Sequence, residues 1–126
     1  QNRVRISGAA LEVRVNAEDP ERNFAPCPGE ITMYSAPGGP GIRVDSHVYP
    51  GYRIPPNYDS MVAKLMAYGN TREEAIRRAL RALEEYVIDG VSTTTDFAIH
   101  ILGREDFRRG NYHTGYIEEL LQTGSI

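Results

Sequence analysis

Hydrophobic and polar residues alternate strictly in the segment 11–16, the pattern of a β-strand whose two faces meet different surroundings. The apolar residues of the segment point to one side and predict contact with a core. Glu12, Arg14 and Asn16 share the other side, because successive strand side chains alternate between faces. This places one arginine between two polar neighbours. Two interpretations stay open: a solvated face with an ion pair, or an arginine held to bind an anion.

The same alternation returns at residues 31–34 and 42–49, on either side of the proline- and glycine-rich break 37–41. We expect these two strands to pair as a hairpin across that break. The glycines could also suggest a phosphate-binding loop. A hairpin turn is the better interpretation, since no GK[ST] ending follows and Pro40 removes a backbone donor. Residues 60–68 predict a largely buried strand that Gly69 ends.

The period then changes from 2 to 3.6 residues, which predicts helices in the second half of the chain. Thr71 and Glu74 have the spacing of a capping box, and apolar residues recur at helical spacing until Gly90. A second helix is expected at 93–102 and a short one at 116–121. Strands followed by helices predict an α+β fold in which helices pack on an antiparallel sheet.

Length and composition fit a single domain over residues 1–126 with a core of its own. The net charge is −3 and no basic block occurs, which argues against a nucleic-acid surface. The single Cys27 gives no disulfide or CxxC signature. We found no apolar run long enough for a membrane span and no leader, so we expect a cytoplasmic protein.

Two further groups of polar residues are candidates for chemistry. Asp45 and His47 share a strand face, but the other histidines do not have metal-ligand spacing, so a surface pair is the better interpretation and no metal site is predicted. Asp59 follows two stiff prolines and can either present its carboxylate to an arginine or cap a strand. Because no catalytic triad or set of paired carboxylates is apparent, the chain is not expected to catalyse a reaction alone.

Taken together, these segments resemble the C-terminal domain of biotin carboxylase, the ATP-dependent component of acetyl-CoA, propionyl-CoA and pyruvate carboxylases. The matching segments occur in order along almost the whole chain: residues 12–20, 24–26, 28–29, 37–46, 58–65, 68–69, 71–75 and 88–93. Gly8–Ala10 and Pro40 look more like the archaeal pyruvate carboxylase subunits that carry the biotin carboxylase part.

The resemblance implies that this chain is the third part of an enzyme whose N-terminal and ATP-grasp domains are missing, as if cut at Gln1. Such enzymes use ATP, magnesium and bicarbonate to carboxylate biotin on a carrier protein. Their ATP, magnesium and bicarbonate ligands lie mainly in the ATP-grasp part, so no cofactor is assigned to this domain. The final carboxyl acceptor, in fatty acid or pyruvate metabolism, is chosen by a separate transferase.

By the same resemblance, Arg14 matches the arginine that contacts the ureido oxygen of biotin. It would serve as both a biotin-binding and a catalytic residue, because a guanidinium stabilises the charge that deprotonation moves onto that oxygen. We further expect Glu12, Asn16 or Asp59 to orient Arg14 by hydrogen bonds.

The resemblance also implies a homodimer to which Pro40 and Arg43 contribute contacts. Many relatives have phenylalanine where this chain has Pro40, so the dimer is expected to be looser. Two alternatives stay open: a non-catalytic interaction module of the same fold, or the terminal domain of another ATP-grasp ligase.

Overall fold

A three-stranded antiparallel sheet is the centre of the fold in this computed structural model, which describes residues 3–56 and 59–125. The strands are β1 (Ala9–Asn16), β2 (Glu18–Asp19), β3 (Ala25–Pro26), β4 (Gly29–Glu30), β5 (Met33–Ser35), β6 (Ile42–Ser46), β7 (Arg53–Ile54), β8 (Met61–Gly69) and β9 (Val87–Asp89). The helices are α1 (Arg72–Glu85), α2 (Thr95–Leu102), α3 (Glu105–Arg108) and α4 (Tyr116–Gln122). The predicted α+β class is confirmed.

The central sheet has the strand order β1-β8-β6, and its inner face is covered by α1. Val15 and Leu65 from the sheet and Ile76 and Leu83 from α1 are almost completely buried there. The helix begins where the sequence predicted it, because the Thr71 hydroxyl accepts a hydrogen bond from the Glu74 amide at 3.1 Å. Burying this apolar stripe against the sheet provides the main driving force for the fold.

The outer face of the sheet is open along most of its length, and the register of the strands orders its side chains in rows. Residues directly opposite each other on paired strands point to the same face. The two rows are Glu12–Met66–Arg43 and Arg14–Lys64–Asp45. The predicted polar face of β1 therefore exists, and it continues across all three strands.

The predicted hairpin between residues 31–34 and 42–49 is wrong. β5 pairs with β9 instead, and β6 pairs with the central strand β8. The break at 37–41 is a turn, but it carries the chain from one sheet to another. The physical reason is that β8 offers β6 a long apolar partner, whereas β5 has only three residues.

The first helix ends at Glu85 and not near Gly90 as the periodicity suggested. Tyr86 has extended backbone angles, and its hydroxyl lies 2.6 Å from that of Tyr34 on β5. Burial, first of all, and this hydrogen bond raise the pKa of Tyr86. Tertiary pairing of β9 with β5 thus overrides the helical pattern. The second and last predicted helices are confirmed with slightly shifted bounds, whereas α3 was not predicted.

Within the described residues, no helix has the length and apolarity needed to cross a membrane.

The last helix, α4, is held to the rest of the structure by a buried contact and by a group of polar side chains, called here the polar clamp. Tyr116 is almost fully buried, and its hydroxyl donates to Asp106 at 2.6 Å while it accepts from Arg104 at 3.0 Å. The Tyr116 hydroxyl, more than any other group, lowers the pKa of the Asp106 carboxyl.

We predict that Asp106→Asn lowers the melting temperature by a few degrees at neutral pH. Because the folded pKa of Asp106 lies below its ordinary value of 3.8, its contribution is present above that pH and is lost as the pH falls through the folded pKa. The substitution should therefore weaken the acid dependence of stability, as measured by thermal unfolding from pH 7 to pH 2. Glu84→Gln on the exposed side of α1 is the control, and equal acid profiles for both variants would contradict the clamp.

Candidate functional site

Arg14 leaves β1 on the open face of the sheet, and 70% of its side chain is exposed. Its nearest carboxylate is that of Glu12, with 3.8 Å between Arg14 Nε and Glu12 Oε1. This distance allows an ion pair but exceeds that of a hydrogen bond. Most of the five N–H donors of the guanidinium therefore remain available to a ligand.

An apolar cavity of about 370 Å³ opens beside Arg14, between β1 and the second half of the chain. Phe97 and Ile101 from α2 line it together with Phe107 and Ile117, and Arg14 lies among the polar residues that complete it. A site of this kind holds an apolar ring on its walls and fixes the orientation of that ring through a few polar groups.

Thr94 fixes the backbone on both sides of Arg14. Its hydroxyl accepts from the Asn16 amide at 3.1 Å and donates to the Arg14 carbonyl at 3.5 Å, and its own amide donates to the Asn16 carbonyl at 3.0 Å. A β-bulge with Val62 as the extra residue lies at the same end of the pair β1–β8. Bulges and side-chain bonds of this kind set the direction of a nearby side chain.

The three residues expected to orient Arg14 lie at different places. Glu12 comes to ion-pair distance, and Asn16 lines the same cavity as Arg14 but hydrogen-bonds to Thr94 through its backbone. Asp59 lines a different cavity, and its Oδ1 accepts from the Met61 amide at 3.0 Å, which caps the start of β8. Among the described residues, none of the three makes a hydrogen bond to the Arg14 side chain: Glu12 reaches it as an ion pair, Asn16 shares its cavity, and Asp59 lies elsewhere.

Asp45 and His47 also have other partners. Arg43 donates to both carboxylate oxygens of Asp45, at 3.0 and 3.1 Å, and His47 packs edge-on against Tyr52. In residues 3–56 and 59–125, no group of three or more His, Cys, Asp or Glu side chains lies close enough to hold a metal ion.

Two arginines from α1 hydrogen-bond to the backbone in this region, Arg81 to the turn between β5 and β6 and Arg78 to the end of β8. Arg81 donates to the Gly38 carbonyl at 3.0 Å, and Arg78 donates to the Tyr68 carbonyl at 2.7 Å. Gly41 has a φ of +75°, and a Cβ there would lie 2.6 Å from the Tyr68 carbonyl, so only glycine fits. The turn therefore presents Pro40 to solvent from a fixed position, and β6, which follows it, presents Arg43.

No sequence motif predicted that Thr94 would hydrogen-bond to the backbone on both sides of Arg14. None predicted that Lys64 would lie opposite Arg14. Thr94 lies among three consecutive threonines that indicate only a helix start, and its partners are 78 and 80 residues away in sequence. Lys64 is the only lysine, but its place opposite Arg14 follows from the strand register. Only long-range pairing reveals either residue.

An α+β domain that exposes an arginine beside an apolar cavity has the features of a ligand-binding part of an enzyme. Residues 12–119 match the model of the biotin carboxylase C-terminal domain, and the chain belongs to this family. It is 53% identical over 125 residues to biotin carboxylase 1 of Bacillus subtilis, and 54% identical over 119 residues to a pyruvate carboxylase subunit of Methanothermobacter thermautotrophicus.

A solved structure gives the same result for the fold. The biotin carboxylase domain dimer of the 2-oxoglutarate carboxylase of Hydrogenobacter thermophilus, in complex with MgADP, ADP and bicarbonate, superimposes with a TM-score of 0.92 at 45% identity. That match covers 97% of this chain and 27% of the other. The two sequence relatives are covered to 28% and 24% of their lengths, against 99% and 94% of this chain. The chain thus spans about a quarter of the proteins it matches.

We predict that Thr94→Val destabilises the domain by about 1–3 kcal/mol, because the Asn16 amide loses its acceptor while the shape of the side chain is kept. The same change should broaden or shift the Arg14 Nε–Hε signal in NMR spectra, since the backbone around Arg14 is released. Chemical denaturation measures the first effect. The exposed Thr32→Val is the matched control, and equal stability of the two variants would show that Thr94 has no such role.

Proposed function

We propose that this chain acts as the C-terminal domain of a biotin carboxylase, in which Arg14 binds the ureido oxygen of carrier-linked biotin. The observation that carries the proposal is the guanidinium itself, largely exposed and without a hydrogen-bonded carboxylate among the described residues. The activity requires the parts of the relatives that this chain does not cover. These are the N-terminal and ATP-grasp parts, to which the resemblance assigns ATP, magnesium and bicarbonate.

The residues around Arg14 suit both the apolar fused rings and the polar ureido group of biotin. The apolar walls of the cavity, Phe97 and Ile101 among them, can take the fused rings, and the planar guanidinium can donate to the ureido oxygen. When bound, biotin supplies the ureido nitrogen that accepts the carboxyl group. Negative charge grows on the ureido oxygen as that nitrogen loses its proton, and Arg14 stabilises this charge more strongly than it stabilises the neutral ground state.

The neighbours of Arg14 have supporting roles in this proposal. Glu12 lies at ion-pair distance and favours one orientation of the guanidinium, but it does not form a bidentate pair with it. Asn16 completes the polar side of the cavity, and Asp59 stiffens the start of β8 on the far side of the bulge. We propose that the biotin carrier protein reaches this open face and that the complete enzyme works in the cytoplasm.

In the full-length enzyme, Arg14→Ala should lower the rate of biotin carboxylation by about 10²- to 10³-fold, the usual effect of removing one donor to a developing oxyanion. Arg14→Lys should recover little of this loss, because lysine keeps the charge but not the planar fork. Binding of ATP should be unchanged. Steady-state carboxylation of free biotin and nucleotide binding measured by calorimetry provide the two readouts.

Arg53 offers a matched control for this experiment. Its side chain is 73% exposed on a strand and lies 3.8 Å from Glu30, so it resembles Arg14 in exposure and in its ion pair. Arg53→Ala should carboxylate biotin at the normal rate. Normal activity of Arg14→Ala, or an equal loss in both variants, would refute the role of Arg14.

We also propose that the complete enzyme forms a homodimer to which Pro40 in the turn between β5 and β6 and Arg43 on β6 contribute. The support is the fixed and exposed position of this turn, which Arg81 ties to α1. A proline at its tip offers little area to a partner, whereas aromatic side chains are the usual anchors of an interface.

Pro40→Phe in the full-length enzyme should therefore tighten self-association by several-fold, as measured by analytical ultracentrifugation over a range of concentrations. Pro50→Phe adds the same ring to another exposed turn and should leave the dissociation constant unchanged. If both variants behave like the unmodified enzyme, the turn is not part of the interface.

A further inference from the structure

Glu18 lines the same apolar cavity of about 370 Å³ as Arg14, four positions further along the chain. It is half-buried on the short strand β2, which follows β1 after a bend at Ala17. A chain spans at most about 3.6 Å per residue, so the Cα atoms of Arg14 and Glu18 lie no more than ~14 Å apart. The two long side chains can therefore contact one small ring that occupies the cavity.

One oxygen of the Glu18 carboxylate has a fixed partner. The Ser60 hydroxyl donates to Glu18 Oε1 at 2.8 Å, and the Ser60 carbonyl accepts from the Ala17 amide at 2.7 Å. These two bonds tie the segment around Glu18 to the residue that precedes β8. In the described part of the chain, no donor reaches Glu18 Oε2 and no side-chain cation lies within 4.0 Å of the carboxylate. The second oxygen thus keeps its full capacity as an acceptor.

The cavity therefore combines unused donors with an unused acceptor. Arg14 brings N–H donors and makes its ion pair with Glu12, so its charge is not paired with that of Glu18. A half-buried carboxylate oxygen without a donor is unfavourable, which favours a ligand that donates to it. The rings of Phe24 and Phe97 meet edge to face at 4.8 Å on the apolar wall. A ligand that satisfies both polar groups carries a carbonyl oxygen and an N–H on one small, otherwise apolar ring.

We propose that Glu18 binds the substrate: its Oε2 accepts a hydrogen bond from the ureido N–H of biotin that is not carboxylated, while Arg14 donates to the ureido oxygen. The proposal rests on the proposed function and extends it from one polar contact to two. A ring held at its oxygen and at one nitrogen has a single orientation. Its other nitrogen is then the one left to lose a proton and accept the carboxyl group. Ser60 is a positioning residue, because its hydroxyl holds the Glu18 carboxylate in place.

The test compares biotin with biotin methylated at the ureido nitrogen that is not carboxylated, which lacks the N–H in question. The affinity of the full-length enzyme for each free compound is measured without ATP, by ligand-observed NMR titration. Glu18→Ala should weaken the binding of biotin by about 10- to 100-fold, the usual effect of losing a hydrogen bond to a charged group. The methylated compound should bind weakly to the unmodified enzyme and no more weakly to Glu18→Ala, because it has no N–H to lose.

Three further variants separate binding from folding, with thermal unfolding as the check on each. Glu18→Gln keeps the shape and an acceptor oxygen but not the charge, so it should lose only several-fold in affinity for biotin and serves if Glu18→Ala does not fold. Ser60→Ala should also lose several-fold for biotin and nothing for the methylated compound. Glu21→Ala is the matched control, because Glu21 is exposed three positions further on and lines a different cavity. It should bind both compounds normally.

Two results would overturn the proposal. If the Glu18 variants bind biotin as tightly as the unmodified enzyme, the carboxylate does not contact the substrate. If they weaken biotin and the methylated compound by the same factor, Glu18 acts through the fold and not through the ureido N–H. Either result leaves the proposed function standing, because that is refuted only by the carboxylation rates of full-length Arg14→Ala and its control.

Discussion

The register of β1 on β8 is the constraint on which the site depends. Because side chains alternate between faces, a slip of one residue would carry Arg14 into the core and Val15 out to solvent. Val15 lies opposite Ala63 and is completely buried, so the apolar contacts of the inner face fix the register. The open position of the arginine is thus stabilised by the burial of its neighbours.

Covering only one face of the sheet has a second consequence. α1 buries the inner face and also reaches the edge, where Arg81 holds the turn before β6 and Arg78 holds the end of β8. The outer face carries mostly charged residues, together with Met66. One helix therefore stabilises the core, fixes the turn and leaves the candidate site exposed to whatever part of an enzyme lies above it.

The elements that the sequence predicted correctly are those determined locally. Alternation indicated β1, a largely buried segment ended by Gly69 indicated β8, and the Thr71 cap indicated the start of α1, because these signals depend on residues a few positions apart. The partners of β5 and β6 and the end of α1 depend on contacts distant in sequence, such as that of Tyr34 with Tyr86. The role of Arg14 came from resemblance, since the alternation alone left both an ion pair and a ligand site open.

Arg14 and Arg43 show why the local sequence pattern cannot distinguish an arginine held in an ion pair from one that is open to a ligand. Each arginine lies on the outer face with an acidic residue two positions away on the same strand, Glu12 before Arg14 and Asp45 after Arg43. Asp45 meets its arginine with two hydrogen bonds, whereas Glu12 makes one contact at 3.8 Å. The same spacing therefore gives one guanidinium whose donors are engaged and one whose donors face solvent. β1 and β6 run in the same direction, both antiparallel to β8, so the two pairs differ in the length of the acidic side chain and in whether the acid precedes or follows the arginine.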